Sequence, residues 1–310
     1  MYERELKEIK RVIEGMKGYK IVYLCLYGSQ NYGLDINNET YQSDIDTKAI
    51  VIPSLNDLIC NSKPISEIIE LPDGQCDIKD IRMYINTLLK GNPAYIETLF
   101  SPYYLIDESF EDDFEFLRNN GEELVNALRC QFIRAIYGMM CEKYKALCYP
   151  YPAIKNKIEK YGYCGKQLHH MYRLWIMMQD YFSLKEPLSE CFVIKDKTTK
   201  VNLIDMKLNK YSLDNAIKLA DNVKNSAEQF KDKYLESIDE QKIDYSIKKK
   251  YLDKSHEIVY NYIVNNILEI TENVDTYAHC MKYDMGCENV KAYLLKECGG
   301  NCYECSFRMV

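Results

Sequence analysis

The feature that most constrains the fold is an unbroken run of apolar and β-forming side chains at residues 19–27, YKIVYLCLY. These side chains would lie on both faces of an extended chain, so the run predicts a strand buried on both sides, at the centre of a sheet. Gly28 and Ser29 follow the run and end the strand. A strand of this kind needs neighbouring strands and covering elements, which favours a mixed α and β architecture.

Two more strands and two helices can be assigned around this central strand. Residues 43–52 alternate in polarity before a proline, and residues 75–79 form a shorter β-type segment. Residues 2–16 and 81–89 place apolar side chains three or four positions apart, which is typical of amphipathic helices. Together these segments predict a small mixed β-sheet with flanking helices. Asn92 and Pro93 are a typical N-cap and first-turn pair, which predicts a further helix at residues 94–100.

From about residue 121 onward the chain has helical periodicity almost throughout. The sequence therefore predicts an α+β protein, in which a small mixed β-sheet is followed by an all-helical C-terminal domain, with a boundary near residue 120. The predicted long helices are residues 122–147, 165–182, 213–235, 243–270 and 290–297.

Composition and charge exclude several classes of protein. With 40 Lys and Arg against 47 Asp and Glu, the net charge of −7 argues against a broad basic face that coats nucleic acid. No apolar run reaches the ~18–20 residues of a membrane span. The 13 cysteines are scattered and odd in number, which favours reduced thiols. We therefore expect a cytoplasmic protein without a membrane partner, and nothing in the sequence indicates its oligomeric state.

Three aspartates are the strongest candidates for chemistry. Asp44 and Asp46 are two residues apart on a predicted strand, so their side chains would share one face and repel each other. A divalent cation relieves this repulsion, and hard oxygen ligands suit Mg²⁺ or Mn²⁺. Asp77, on the next strand, is the candidate third carboxylate of a two-metal site. Asp80 competes for that role but stands directly before a helical face, where an N-cap function explains it better.

The turn after the central strand offers a site for an anion. Gly28 allows the backbone to approach a phosphate closely, and Ser29 adds a hydroxyl and an N–H group at the end of the strand. In this order, Gly28-Ser29, then Asp44-x-Asp46, then Asp77 between apolar residues resembles the nucleotidyltransferase superfamily of DNA polymerase β.

A longer pattern resembles one branch of that superfamily, the bacterial and phage nucleotidyltransferases associated with RNA repair. The likeness covers roughly residues 20–215. Its motifs are Gly28-Ser29-x-x-Tyr32-Gly33, Ser43-Asp44-x-Asp46, Lys90-Gly91-Asn92-Pro93 with Glu97, the helical trio Lys166, His170 and Arg173, and the segment at residues 203–213.

The resemblance implies transfer of a nucleoside monophosphate from an NTP to a hydroxyl acceptor, with release of pyrophosphate. Residues 1–120 would form the catalytic core and residues 121–310 a helical domain that closes the cleft. Asp44, Asp46 and Asp77 would hold Mg²⁺ or Mn²⁺, and Asp77 would also act as the base. The triphosphate would contact Gly28, Ser29, Lys166, His170 and Arg173.

The acceptor stays open at the level of sequence. The family favours the 3′ end of an RNA such as tRNA, whereas a protein hydroxyl or a small molecule are alternatives within the same chemistry. A catalytically inactive module that binds nucleotide or RNA is an alternative of a different class.

A cluster of cysteines near the C-terminus invites a zinc interpretation. Its Cys-x-x-Cys pair, Cys302 and Cys305, is accompanied by Cys298 and, upstream, by Cys280 and Cys287. Structural zinc usually uses two such pairs, so free thiols are the alternative to a partial zinc site.

Overall fold

The structure, a computed structural model, describes residues 2–39 and 41–277. Its main sheet has five strands in the order β5-β6-β4-β1-β7. Strand β4 pairs antiparallel with β1 and parallel with β6, which makes the sheet mixed. The strands are β1 (Lys20–Leu26), β2 (Asn37–Asn38), β3 (Tyr41–Gln42), β4 (Thr47–Ile52), β5 (Ser66–Leu71), β6 (Gly74–Asp80) and β7 (Tyr104–Ile106).

Helices flank this sheet and make up nearly all of the described chain beyond residue 110. The protein is therefore α+β with a helical C-terminal region, as the sequence predicts. The helices are α1 (Glu3–Lys17), α2 (Ser29–Tyr32), α3 (Leu55–Ile59), α4 (Ile81–Leu89), α5 (Pro93–Ile96), α6 (Glu111–Asn119), α7 (Gly121–Ala127), α8 (Arg129–Ala146), α9 (Lys155–Tyr161), α10 (Gly165–Gln179), α11 (Leu188–Cys191), α12 (Lys197–Lys207), α13 (Leu213–Ser237) and α14 (Ser246–Tyr277).

The chain forms two compact units. The first comprises Met1–Ser54 and Lys63–Ser255 and contains the whole sheet, and the second comprises Leu55–Ser62 and the chain from His256 onward. The division at residue 120 stays a prediction. Within residues 2–39 and 41–277, no helix combines the length and the apolar character needed to cross a lipid bilayer. The predicted helix at residues 290–297 and the C-terminal cysteines lie outside the described residues.

The central strand is buried as expected and anchors the first unit. On one face of the sheet, Leu6 and Ile13 of α1 pack on a cluster of side chains that are at most 7% exposed. On the other face, Tyr23 stacks on Phe114 of α6 with ring centroids 4.9 Å apart. Burial of each large apolar side chain contributes about 1.5–3 kcal/mol, so the end of β1 is a firmly held platform for the turn that follows.

The predicted strand at residues 43–52 is too long at its beginning. Strand β4 starts at Thr47, and Asp44 and Asp46 lie in the loop before it. The physical reason is that this loop bonds to other loops: the Ser43 N–H donates to the Ile36 carbonyl (2.8 Å) and the Ile45 N–H to the Asp73 carbonyl (2.7 Å). The two aspartates are therefore positioned by turns and not by strand alternation.

Two predicted N-cap residues begin helices in the structure, and one predicted helix is divided into two. Asp80 is the N-cap of α4, because its carboxylate accepts the Arg82 N–H at 2.9 Å. Asn92 caps α5 in the same way, with a hydrogen bond from the Ala94 N–H at 3.0 Å. The helix predicted at residues 122–147 is interrupted at Leu128, which lies between α7 and α8.

Gly165 of α10 lies in close contact with the C-terminal end of α12. A side-chain carbon built at this position would overlap the carbonyl oxygen of Met206 at the end of α12, and would lie 3.0 Å from the Asn209 nitrogen. Backbone atoms of a packed helix cannot move aside cheaply.

We expect Gly165→Ala to lower the free energy of unfolding by about 3 kcal/mol, at the upper end of overpacking costs. Gly138→Ala is the matched control, since a side chain at this helical position meets nothing within 4 Å. In that variant the better helix propensity of Ala stabilises by up to about 1 kcal/mol. Urea unfolding of both variants checks this, and equal stability of the two would contradict the close contact.

Candidate functional site

A cavity in the first unit gathers residues from the loops of the sheet and from three helices. The sheet side contributes the turn after β1, the loop before β4 and the start of β6, and the helical side contributes α8, α10 and α12. The lining residues are Tyr27, Gly28, Ser29, Tyr32, Tyr41, Asp44, Asp46, Gln75, Met139, Lys143, Lys166, His169, His170, Arg173, Leu174 and Lys207.

Seven of the eight predicted site residues line this one cavity. They are Gly28, Ser29, Asp44, Asp46, Lys166, His170 and Arg173. The eighth, Asp77, is not among the lining residues. The structure thus brings together an acidic loop, a glycine turn and a cationic helix that are far apart in the sequence.

The glycine turn is fixed by a buried glutamate. Gly28 has φ 99° and ψ −138°, a backbone conformation that residues with a side chain rarely adopt. Its N–H points to a carboxylate oxygen of Glu97, 3.4 Å away, and the same carboxylate accepts hydrogen bonds from Asn31 Nδ2 and the Tyr32 hydroxyl. Glu97 is 3% exposed, and burial raises its pKa. Glu97 therefore fixes the turn from Gly28 to Tyr32 through these hydrogen bonds.

The acidic loop is fixed along its backbone. Gln30 Nε2 donates to the Asp44 carbonyl at 2.7 Å, and the Tyr27 N–H donates to the Asp46 carbonyl at 2.9 Å. The peptide between the two aspartates rests on the tip of the β5–β6 hairpin, where a side chain at Gly74 would overlap the Ile45 carbonyl. Both aspartates are therefore presented to the cavity by a rigid frame.

The two aspartates repel each other across a partly buried site. Burial raises the pKa of Asp46, and the charge of Asp44 raises it further, while Lys166 and the Gln75 N–H act in the opposite direction. Asp44 is exposed and Asp46 is half-buried. Two neighbouring carboxylates of this kind supply the hard oxygen ligands that Mg²⁺ and Mn²⁺ prefer.

The helices that line the cavity contribute four cations, Lys143, Lys166, Arg173 and Lys207. Burial lowers the pKa of Lys143 and of Lys207, and repulsion from Lys166 lowers both further. Like charges held this close favour an anionic ligand between them.

Arg173 is the most deeply placed of these cations. It is 5% exposed, and its guanidinium lies 3.7 Å above the ring of Tyr32. Within the part of the chain that the structure describes, its Nε atom is buried without a hydrogen-bond partner. An unpaired buried donor is costly, so an anionic ligand that reached this atom would be stabilised by it.

Asp77 does not line the cavity and is bound by two neighbouring side chains. One of its carboxylate oxygens accepts hydrogen bonds from Lys48 Nζ at 2.6 Å and from the Tyr95 hydroxyl at 2.8 Å. Among residues 2–39 and 41–277, no group of three or more His, Cys, Asp or Glu side chains is arranged to hold a metal ion. The predicted triad of acids is therefore represented in the cavity by Asp44 and Asp46.

Sequence reasoning missed several residues of the site. Lys143 and Lys207 look like ordinary solvated positions of amphipathic helices, and only the likeness of residues 203–213 to the family was a signal for Lys207. Glu97 belongs to a motif of the sequence, but the spacing of residues does not show that its carboxylate accepts the hydrogen bonds of the glycine turn.

Two histidines line the cavity in their neutral form. Burial lowers the pKa of His169 to about 4 and lowers the pKa of His170 well below its usual value, and the charge of Arg173 adds to both shifts. His169 Nδ1 lies 2.9 Å from the Leu203 carbonyl, which fits a neutral ring that donates there. His170 therefore adds no positive charge for a triphosphate at neutral pH.

These shifts predict a loss of stability in mild acid. The unfolded chain binds a proton on His169 near pH 6.5, whereas the folded chain resists protonation until about pH 4. Between pH 7 and pH 5 this difference costs about 2 kcal/mol. Urea unfolding of the wild type and of His169→Gln at both pH values measures it, because the variant should lose less stability. An identical loss in both proteins would contradict the neutral, buried ring.

A comparison with protein families matches residues 1–146 to a family described as "RlaP: RNA repair pathway DNA polymerase beta family". Among solved structures, the chain is similar to a nucleotidyltransferase-like protein from Exiguobacterium sibiricum 255-15. That likeness has 10% sequence identity over 76% of this chain and 78% of the other, with a TM-score of 0.26. No curated protein matches the chain.

Proposed function

We propose, from the match of residues 1–146 to the RNA repair pathway DNA polymerase beta family, that the cavity binds a nucleoside triphosphate and transfers its nucleotidyl group to a hydroxyl acceptor. The observation that carries the proposal is that one cavity gathers both kinds of charge. It is lined by Asp44 and Asp46 from the loop before β4 and by four cations from the helices. A triphosphate bound with a divalent ion needs carboxylates for the ion and cations for the phosphates.

A metal ion bound to Asp44 and Asp46 would relieve the electrostatic repulsion between their carboxylates. Burial raises the pKa of Asp46 and the charge of Asp44 raises it further, and an ion bound to both carboxylates would offset these costs. Asp44 and Asp46 would hold Mg²⁺ or Mn²⁺ here. A bound ion of this kind stabilises the negative charge that builds up on the phosphates during transfer.

The residues of the chain then orient and neutralise the substrate. Lys166 and Arg173 attract the phosphate oxygens, and the Gly28–Ser29 turn offers the Ser29 N–H, because the Gly28 N–H points to Glu97. In the transfer step the acceptor oxygen bonds to the α-phosphorus, the bond to pyrophosphate breaks, and the hydroxyl proton passes to a carboxylate of the cavity. Residues 1–120 supply the acids of this arrangement and residues 121–310 supply the cations.

The 3′ end of an RNA is the acceptor that we propose, on the strength of the family description. A catalytically inactive nucleotide-binding module is the second candidate, and one observation favours it. Asp77, the acid expected to serve as ligand and base, is bound to Lys48 and Tyr95 and does not line the cavity.

The test is to incubate the purified protein with each α-labelled NTP, Mg²⁺ or Mn²⁺, and total RNA or cell lysate. We expect label to enter RNA. Label in protein or in small molecules would support the same chemistry with a different acceptor. Binding of NTP without transfer to any acceptor would overturn the enzymatic proposal in favour of the inactive module.

A further inference from the structure

Lys48 is an unusual residue for the interior of a sheet. It lies on β4, is 4% exposed, and its Nζ atom sits 4.4 Å from the ring centre of Tyr27 and 4.3 Å from that of Tyr95. Asp77 Oδ2 is 2.6 Å from the same nitrogen. Two aromatic faces and a carboxylate thus surround the ammonium group, and cation–π contacts and an ion pair of this kind stabilise a buried cation.

The strand register explains why Lys48 and Asp77 meet. In the parallel pairing of β4 with β6, Lys48 is opposite Asp77. Asp46 comes two residues before Lys48, and its carboxylate accepts the Gln75 N–H, two residues before Asp77. Two residues along a strand span about 6–7 Å. On β6, Gln75 therefore lies beside Asp46, and Asp77 lies two residues further along the same strand.

We propose that Lys48 takes the place of a metal ion at Asp77, so that Asp44 and Asp46 are the only aspartates of the three that contribute to the metal site. This inference rests on the proposed function and refines it. A divalent ion that bound Asp77 through Oδ2 would have to displace the ammonium, and a buried ammonium without its carboxylate is strongly unfavourable. The Tyr95 hydroxyl, bound to the same oxygen as Lys48, adds to this competition.

The consequence for chemistry is that Asp77 is a positioning residue. It fixes Lys48 between the two tyrosine rings, and Tyr27 in turn lines the cavity. One oxygen of the carboxylate that the family pattern assigns to the metal, Oδ2, is already bound by Lys48 and Tyr95.

Titration of the full-length protein with Mn²⁺, followed by the electron paramagnetic resonance signal of the free ion, tests this assignment. We expect Asp46→Asn to weaken Mn²⁺ binding by at least tenfold and Asp77→Asn to change it by less than twofold. Asp77→Asn should lower the midpoint of thermal unfolding, because it leaves Lys48 unpaired. If that variant does not fold, Lys48→Met with Asp77→Asn removes both charges together, and we expect Mn²⁺ binding to stay within twofold of the wild type.

Two results would overturn the inference in distinguishable ways. If removal of Asp77, alone or together with Lys48, weakens Mn²⁺ binding as much as Asp46→Asn does, Asp77 is a metal ligand and Lys48 yields to the ion. If Asp44→Asn and Asp46→Asn also leave Mn²⁺ binding unchanged, the metal site of the proposed function fails, and this refinement fails with it.

Discussion

The double variant Asp44→Ala, Asp46→Ala is expected to transfer nucleotide at least about 10³-fold more slowly than the wild type. A bound metal ion is worth several kcal/mol of transition-state stabilisation, and each 1.4 kcal/mol corresponds to a factor of ten in rate. Both side chains line the cavity, so removing them leaves no aspartate of the acidic loop to bind the ion. The measurement is the initial rate of label transfer from an α-labelled NTP in the presence of Mg²⁺ or Mn²⁺.

This loss should occur without loss of stability. Burial and the charge of Asp44 raise the pKa of Asp46, so the ionised carboxylate at neutral pH is unfavourable in the folded protein, and its removal should leave the melting temperature unchanged or raise it. Asp232→Ala with Glu236→Ala is a matched control that removes two exposed acids from α13. Undiminished transfer by the Asp44, Asp46 variant would refute the role of the acidic loop.

Arg173→Met is expected to weaken NTP binding by about 10- to 100-fold. Hydrogen bonds to charged groups contribute about 1.5–3 kcal/mol, which corresponds to this range of affinity. Arg173→Lys should recover little of the loss, since a lysine ammonium lacks the planar group that stacks on Tyr32 at 3.7 Å. Equilibrium binding of labelled NTP with Mg²⁺ measures the effect.

The control for this prediction is Arg134→Met, which removes an arginine from α8 that is about half exposed and pairs with Glu240. Surface pairs of this kind contribute about 0–1 kcal/mol, so neither NTP binding nor stability should change much. If Arg173→Met bound NTP as tightly as the wild type, the unpaired buried Nε atom would need an explanation other than a phosphate ligand.

The sequence predicts those features of the site that depend only on residues close together in the chain. The buried run at residues 19–27 places Gly28 at the end of a central strand, and the caps Asp80 and Asn92 are correct because capping depends on neighbouring residues alone. The helical trio on α10 reaches the cavity because residues four and seven positions apart share a helix face.

The sequence could not predict how strands align with one another. Alternation of side chains says which face a residue occupies, but the pairing of Lys48 with Asp77 depends on tertiary packing across two strands. The same limit applies to Lys143 and Lys207, because a lysine on an amphipathic helix looks identical whether its helix faces water or a cavity. The loop conformation of Asp44 and Asp46 depends on a hairpin almost 30 residues further along the chain.

That hairpin constrains how the protein can vary over evolutionary time. Tips of exposed hairpins ordinarily accept insertions and drift freely in length. Here the two-residue tip, Pro72 and Asp73, supports the peptide between the aspartates through the Asp73 carbonyl, and Gly74 leaves no room beside Ile45. Among descendants of the same ancestor, lineages that keep both aspartates should therefore also keep the length of this tip and a glycine after it, whereas lineages that have lost the acids are free to change both.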